Sequence, residues 1–167
     1  MSTTNELVAG HPELIEPVRR SRRLLNRRAL VAAAASAVPV PGLDWAVDAA
    51  LLSQLIPQIN AEFGLSPAQL DKLPAHKREQ VQKAVGVVGS VLVGKLITHD
   101  LVLRAAKTVG MRLTVQQAAK YVPLAGQAVS AIMGYTAIRY LGEQHIRDCV
   151  RVAQAAQLAL PAPSPRN

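Results

Sequence analysis

Apolar positions along most of this chain recur every three or four residues, which is the spacing of one face of an α-helix. After Pro17, for example, Val18, Leu25 and Ala29 fall near one stripe, while arginines cover much of the remaining surface. Strict alternation of apolar and polar residues is not found, and the one Val-rich stretch, 85–93, is interrupted by glycines. The pattern therefore predicts an all-α protein, a compact bundle of tightly crossed helices.

Two Pro-Gly segments separate the predicted helices. Val38-Pro39-Val40-Pro41-Gly42 and Val122-Pro123-Leu124-Ala125-Gly126 share the form V-P-aliphatic-x-G, and each lies between two apolar helical stretches. Proline lacks the amide proton that a helix interior needs and disfavours helical geometry in the residue before it. We interpret the two segments as helix breaks in a pseudo-repeat of two helix-break-helix units.

Helix signals place the element boundaries between these breaks. The first helix is predicted from Pro17 to about Ala37, the second from Leu43 to Ala61, and the last from the second break to about Ala159. Ser66 is a candidate N-cap for a short helix that begins at Pro67. The resulting domain prediction is a flexible N-terminus at 1–16, a single helical domain at 17–159 and a disordered, Pro-rich tail at 160–167.

Small residues recur at a spacing of four, which keeps them on one helix face. Three such columns occur, and their members are Gly42, Ala46, Ala50; Gly86, Ser90, Gly94; and Gly126, Ser130, Gly134. Because glycine inside a helix costs about 1 kcal/mol relative to alanine, such columns need compensation from close packing. We predict that these faces form helix crossings at short backbone distance, a pattern that also occurs between helices in membranes.

Charge adds a candidate binding function. The chain carries a net charge of +8 and has a pI near 10.3, which favours an anionic partner. The basic cluster that opens the first helix consists of Arg19, Arg20, Arg22, Arg23, Arg27 and Arg28. A basic amphipathic helix of this kind is typical of binding to anionic lipid. Nucleic acid is the less favoured anion, because no stacking aromatic side chains interleave the arginines.

Whether any helix enters the bilayer is left open by the sequence. The best candidate span, Tyr121 to Ile138, holds no charged residue. Tyr121 at its start and Tyr140 just beyond its end would lie about 28 Å apart on a straight helix. Pro123, Gln127 and Ser130 make the segment only weakly apolar. Embedding in the membrane, peripheral association and an entirely soluble bundle therefore remain three alternatives.

Sequence patterns for catalysis and cofactors are incomplete. Gly89 to Lys95 has the G-x4-G-K spacing of a phosphate-binding loop, but Leu96 replaces the Ser or Thr that would bind magnesium. His145 and Cys149 lie four residues apart, which supplies only two of the ligands of a zinc site. We therefore predict no enzyme activity, no cofactor and no metal.

The residues at the two breaks carry a resemblance to a known group of proteins. Ala37 to Asp44, Phe63-Gly64-Leu65-Ser66, Tyr121 to Gly126 and Gly134 to Gly142 resemble the hydrophobic helical domain of unknown function that accompanies bacterial Era-like and dynamin-like small GTPases. The resemblance implies a helical, membrane-linked module at the bacterial inner membrane or its cytoplasmic face. It also implies a separate GTPase as partner, because this chain has no valid phosphate loop.

The predicted function is accordingly a non-catalytic, membrane-associated helical adaptor, in which the arginines meet anionic lipid. The alternative is a cytoplasmic α-helical protein that binds a partner or forms a homo-oligomer through its small-residue faces. The two differ in whether the protein binds a lipid surface.

Overall fold

Helices account for all of the regular secondary structure in the part of the chain described by a computed structural model, which is residues 4–36, 43–89, 123–158 and 160. The predicted all-α class is confirmed, and the helices pack against one another as a bundle. The helices are α1 (Thr4–Val8), α2 (Pro12–Ser36), α3 (Leu43–Glu62), α4 (Pro67–Leu70), α5 (Ala75–Val88) and α6 (Pro123–Ala155).

The N-terminal segment differs from its prediction. Residues 4–8 and 12–16 are helical, and Thr4, Val8 and Leu14 are buried. Gln154 in α6 donates a hydrogen bond of 2.7 Å from Nε2 to the carbonyl of Leu7, which holds α1 in place. The sequence predicted a flexible segment at 1–16, whereas the structure describes two helices within residues 4–16, and tertiary contacts stabilise this segment because it is too polar and short to form stable helices alone.

Helix α2 shows the amphipathic pattern most clearly. Val18, Leu25, Ala29 and Ala32 are buried on one side, while Arg23 and other residues of the opposite side are exposed. Burial at intervals of three and four residues is what a helix of 3.6 residues per turn produces when one face meets a core. The helix begins at Pro12 rather than at the predicted Pro17, which lies inside it.

Helix ends in the middle of the chain follow local chemistry. Ser66 precedes α4, and the side-chain oxygen of Gln69 accepts hydrogen bonds from the Ser66 backbone amide at 3.1 Å and hydroxyl at 2.6 Å. Gly89 takes a left-handed conformation with φ of 70° and donates its amide to the Val85 carbonyl, which ends α5. Glycine adopts this conformation without steric cost, and it therefore ends helices frequently.

The two predicted breaks have different outcomes. The first, at residues 38–42, lies outside the described residues. At the second, Pro123 is the first residue of α6, so Gly126 lies inside a helix rather than in a break. Proline suits this first position because its missing amide proton would have no partner there. Helix α6 ends at Ala155, four residues before the predicted end, and Leu160 is the one described residue of the predicted tail.

The chain divides into two compact units that alternate along the sequence, whereas the sequence predicted one domain at 17–159. Unit 1 comprises Met1–Arg23, Ile56–Leu96 and Glu143–Asn167, and unit 2 comprises Leu24–Leu55 and Ile97–Gly142. In unit 1 the largest fully buried side chain is Phe63, and it shares the core with residues that include Ile59, Leu65, Ile146 and Val150. In unit 2 the described core includes Leu25, Ala29, Leu55 and Ile138.

Candidate functional site

Two of the arginines predicted to bind lipid are engaged inside unit 1. Arg20 Nε lies 2.6 Å from a carboxylate oxygen of Glu62 on α3. Arg22 lies 2.5 Å from Glu143 on α6 and also donates to Asn5 Oδ1 at 2.8 Å. All four charged side chains are at least two-thirds buried. These guanidinium groups join helices to one another, so the prediction that Arg20 and Arg22 contact lipid is not supported.

The other four arginines differ in whether they form an ion pair within the described residues. Arg19 forms an exposed ion pair of 2.5 Å with Glu16, one turn earlier on the same helix. Arg23 and Arg27 are exposed and Arg28 is half-buried, and within the described residues these three have no ion pair or side-chain hydrogen bond. Exposed ion pairs such as Arg19–Glu16 are weak, but the three unpaired cations have their full charge available to an external anion.

Unit 2 places unpaired cations beside exposed aliphatic side chains. Leu30 and Val31 follow Arg27 and Arg28 by one helical turn and are 63% and 51% exposed. On α6, Ile132 is 65% exposed. We call these five residues of unit 2, Arg27, Arg28, Leu30, Val31 and Ile132, the basic apolar surface. No carboxylate occurs among the side chains of unit 2 that the structure describes.

A glycine contact joins α2 to α6 within unit 2. A Cβ atom built on Gly142 would lie 2.2 Å from Cδ1 and 2.9 Å from Cδ2 of Leu25, a side chain that is completely buried. Next to this contact, Arg139 donates a hydrogen bond to Asn26 Oδ1. The sequence prediction did not include Gly142, although it continues the spacing of four that runs from Gly126 through Gly134.

The predicted small-residue columns are only partly described. Gly134 is buried and Ala50 is partly buried. Gly86 is exposed, and a Cβ built there would meet no heavy atom within 4 Å, so the predicted close helix crossing is wrong at this residue. The remaining members lie outside the described residues or side chains; they are Gly42, Ala46, Ser90, Gly94, Gly126 and Ser130.

A polar cluster lies in the core of unit 1. Asn60 Oδ1 lies 2.9 Å from His145 Nε2 and accepts a hydrogen bond of 3.4 Å from Cys149 Sγ. Cys149 Sγ is also 3.6 Å from His145 Nε2. All three residues are almost completely buried. Cysteine, histidine and a carboxamide are residue types that occur together in thiol enzymes, so their protonation decides what this cluster can do.

Burial keeps both titratable groups of the polar cluster neutral. Desolvation lowers the pKa of His145 to about 4, and the Ile56 carbonyl opposes this effect only in part. Desolvation, with a smaller contribution from Asp148, raises the pKa of the Cys149 thiol well above its usual value. A catalytic thiol needs the opposite shift and access to substrate. The cluster is therefore a set of buried, neutral polar side chains in contact through Asn60 Oδ1, His145 Nε2 and Cys149 Sγ, while His145 Nδ1 has no hydrogen-bond partner among the described residues.

Three further kinds of site are a surface cavity, a metal centre and a phosphate-binding loop. In unit 1 a surface cavity of about 230 Å³ lies between the start of α2 and the end of α6, and the polar side chains that line it include His11, Glu13 and Gln154. Among the described residues, no group of three or more His, Cys, Asp or Glu side chains could hold a metal ion. In the sequence that resembles a phosphate-binding loop, Gly89 is the cap of α5, and 90–95 lie outside the described residues.

Of the helices in the described ranges, none has the length and hydropathy needed to cross a bilayer. Comparisons with protein-family models, with curated proteins and with solved structures give no match.

Proposed function

We propose that this protein is a non-catalytic helical module that binds the surface of anionic membranes peripherally, through the basic apolar surface of unit 2. Guanidinium groups bind lipid phosphates, and the exposed aliphatic side chains lie beside them on the same surface. This function keeps the association with lipid predicted from the arginine cluster but assigns it to fewer residues.

The observation that supports the proposal is the different pairing of the arginines. Arg19, Arg20 and Arg22 have carboxylate partners in unit 1. Arg27 and Arg28 have none in the described chain, and exposed aliphatic side chains follow them by one turn. A purely solvated basic face would not need exposed Leu30 and Val31 beside it. The combination of cation and aliphatic side chain is typical of interfacial helices.

The test is a co-sedimentation experiment with vesicles of phosphatidylglycerol and phosphatidylcholine, and with phosphatidylcholine alone. Arg27→Gln combined with Arg28→Gln removes two cations from the basic apolar surface. Because a basic residue near an anionic membrane contributes about 1 kcal/mol, the double variant should bind anionic vesicles roughly thirtyfold more weakly at low salt.

A matched control removes two cations elsewhere. Lys72 and Arg78 are exposed in unit 1, and the structure shows no ion pair for either among the described residues. Lys72→Gln combined with Arg78→Gln changes the net charge equally and should weaken equilibrium binding only slightly. Equal loss in both double variants would mean that total charge, and not this surface, determines binding. Absence of binding by the unmodified protein would reject the function.

The partnership with a separate GTPase and the location at the bacterial inner membrane remain predictions from the resemblance. Affinity capture of the full chain from cells of its source, followed by identification of bound GTPases, tests the first of these. Cell fractionation with carbonate and high-salt washes tests the second.

A further inference from the structure

We propose that Leu30, Val31 and Ile132 form an apolar wedge that enters the headgroup region of an anionic membrane, so that binding depends on insertion as well as on charge. This inference rests on the proposed function and adds the part of unit 2 that penetrates the lipid. The term apolar wedge refers to these three side chains.

The packing within unit 2 brings two of the wedge residues, Leu30 and Ile132, to one edge of α2 and α6, and Val31 is the exposed residue of α2 that follows Leu30. Leu25 meets Gly142 and Asn26 meets Arg139, so α2 and α6 run antiparallel where they touch. Leu30 lies four residues after Asn26, and Ile132 lies seven before Arg139. Both intervals return to the same face of a helix. Leu30 and Ile132 therefore follow the edge that the Asn26–Arg139 hydrogen bond marks.

The exposure of these side chains favours lipid over a helical partner. Leu30 and Ile132 are nearly two-thirds accessible, so they project from their helices rather than line a groove. Recognition of a partner helix needs a groove that encloses apolar side chains. A lipid interface deforms around projecting side chains, and each aliphatic group that leaves water contributes favourably to binding.

Charge argues against a second copy of the chain as the occupant. Arg27 and Arg28 adjoin the wedge on α2, and Arg139 lies on the α6 face that carries Ile132. Two such surfaces brought together would place like charges face to face without a described carboxylate between them, which is unfavourable. Anionic phosphates above an apolar layer are complementary to both features of the surface.

The experiment introduces one accessible cysteine at a time and attaches an environment-sensitive fluorophore to it. Cys149 is completely buried, so Val31→Cys or Ile132→Cys provides the accessible thiol in the folded full-length protein. Gln82→Cys, at an exposed position of α5 in unit 1, is the matched control. Circular dichroism confirms that each variant folds. With phosphatidylglycerol vesicles, probes at 31 and 132 should shift to the blue and be quenched by nitroxide-labelled acyl chains, while the probe at 82 should stay in water.

A second measurement separates insertion from attraction by charge. Leu30→Ser combined with Val31→Ser should weaken binding roughly tenfold or more and make the remaining binding more sensitive to salt.

If the protein sediments with vesicles but the probes at 31 and 132 remain in water, the wedge is wrong and peripheral binding by charge stands. If the unmodified protein does not bind, both proposals fail. A blue shift that appears without vesicles, rises with protein concentration and accompanies a dimer mass in light scattering would assign the surface to a second copy and overturn the wedge.

Discussion

Two glycines in this protein have opposite requirements for space. A side chain at Gly142 would collide with the buried Leu25, whereas Gly86 lies in open space within α5. Gly142→Ala should lower the free energy of unfolding by about 1–2 kcal/mol, because the overpacking outweighs the gain in helix propensity. Gly86→Ala should raise it by about 0.5–1 kcal/mol, because alanine favours the helix and nothing opposes its methyl group.

Urea denaturation of the two glycine variants beside the unmodified protein measures both effects. Leu25→Ala in the Gly142→Ala background serves as the control, since a smaller partner should remove most of the collision while adding its own loss of apolar contact. Equal and positive changes at both glycines would contradict the contact between α2 and α6 as described.

His145 gives the protein a dependence on pH that is independent of lipid. Its pKa is lowered to about 4 in the folded state, against 6.5 for the unperturbed ring. Between pH 6.5 and 4 the unfolded chain therefore binds a proton that the folded chain excludes, so stability is complete above pH 6.5 and falls as the pH is lowered towards 4. The loss should be on the order of 3 kcal/mol.

The measurement for His145 is the free energy of unfolding across this pH range for the unmodified protein and for His145→Gln. Glutamine can still donate to Asn60 but does not titrate, so the variant should lack this part of the acid destabilisation even if it is less stable at pH 7. Parallel pH curves for the two proteins would show that His145 does not exclude the proton.

At the scale of the helices, the apolar periodicity of the sequence predicts those features that depend only on residues near one another in the chain. The apolar spacing and the Ser66-Pro67 signal predict α3 within one residue, and the start of α4 at Pro67, as observed. The long N-terminal helix is also predicted, although its start lies five residues earlier, at Pro12. These features are local, because the helix period and the capping chemistry act over a few positions.

Elements that depend on distant partners could not be predicted in this way. Thr4 is buried because its hydroxyl donates to Glu143 Oε1 at 2.7 Å, although 139 residues separate the two positions. Likewise, no local pattern indicates that Arg20 meets Glu62 while Arg23 remains exposed. The sequence therefore predicted the basic helix of the candidate site, but only tertiary contacts show which of its arginines remain available.

At the scale of the whole molecule, positive charge is shared between the units but differs in its arrangement. By sequence, unit 2 holds seven Lys and Arg residues and three aspartates. The cations are Arg27, Arg28, Arg104, Lys107, Arg112, Lys120 and Arg139, and the aspartates are Asp44, Asp48 and Asp100. Unit 1 contains most of the carboxylates and all the described ion pairs. A net charge of +8 attracts anions from a distance, whereas contact depends on which cations are unpaired.

These two roles of charge predict different kinetics for the two double variants. Arg27→Gln with Arg28→Gln, and Lys72→Gln with Arg78→Gln, each lower the net charge of +8 by two. Both should slow association with phosphatidylglycerol vesicles modestly at low ionic strength, because long-range attraction depends on total charge. Only the variant that lacks Arg27 and Arg28 should also dissociate faster, because the proposed function assigns the phosphate contacts to those two cations. Stopped-flow mixing followed by dilution measures both rates. At high salt, screening shortens the range of attraction to about 3 Å. The association rates of the two double variants and the unmodified protein should then converge, while the faster dissociation of the Arg27 and Arg28 variant persists. Rapid dissociation of the Lys72 and Arg78 variant would place the contact in unit 1 instead.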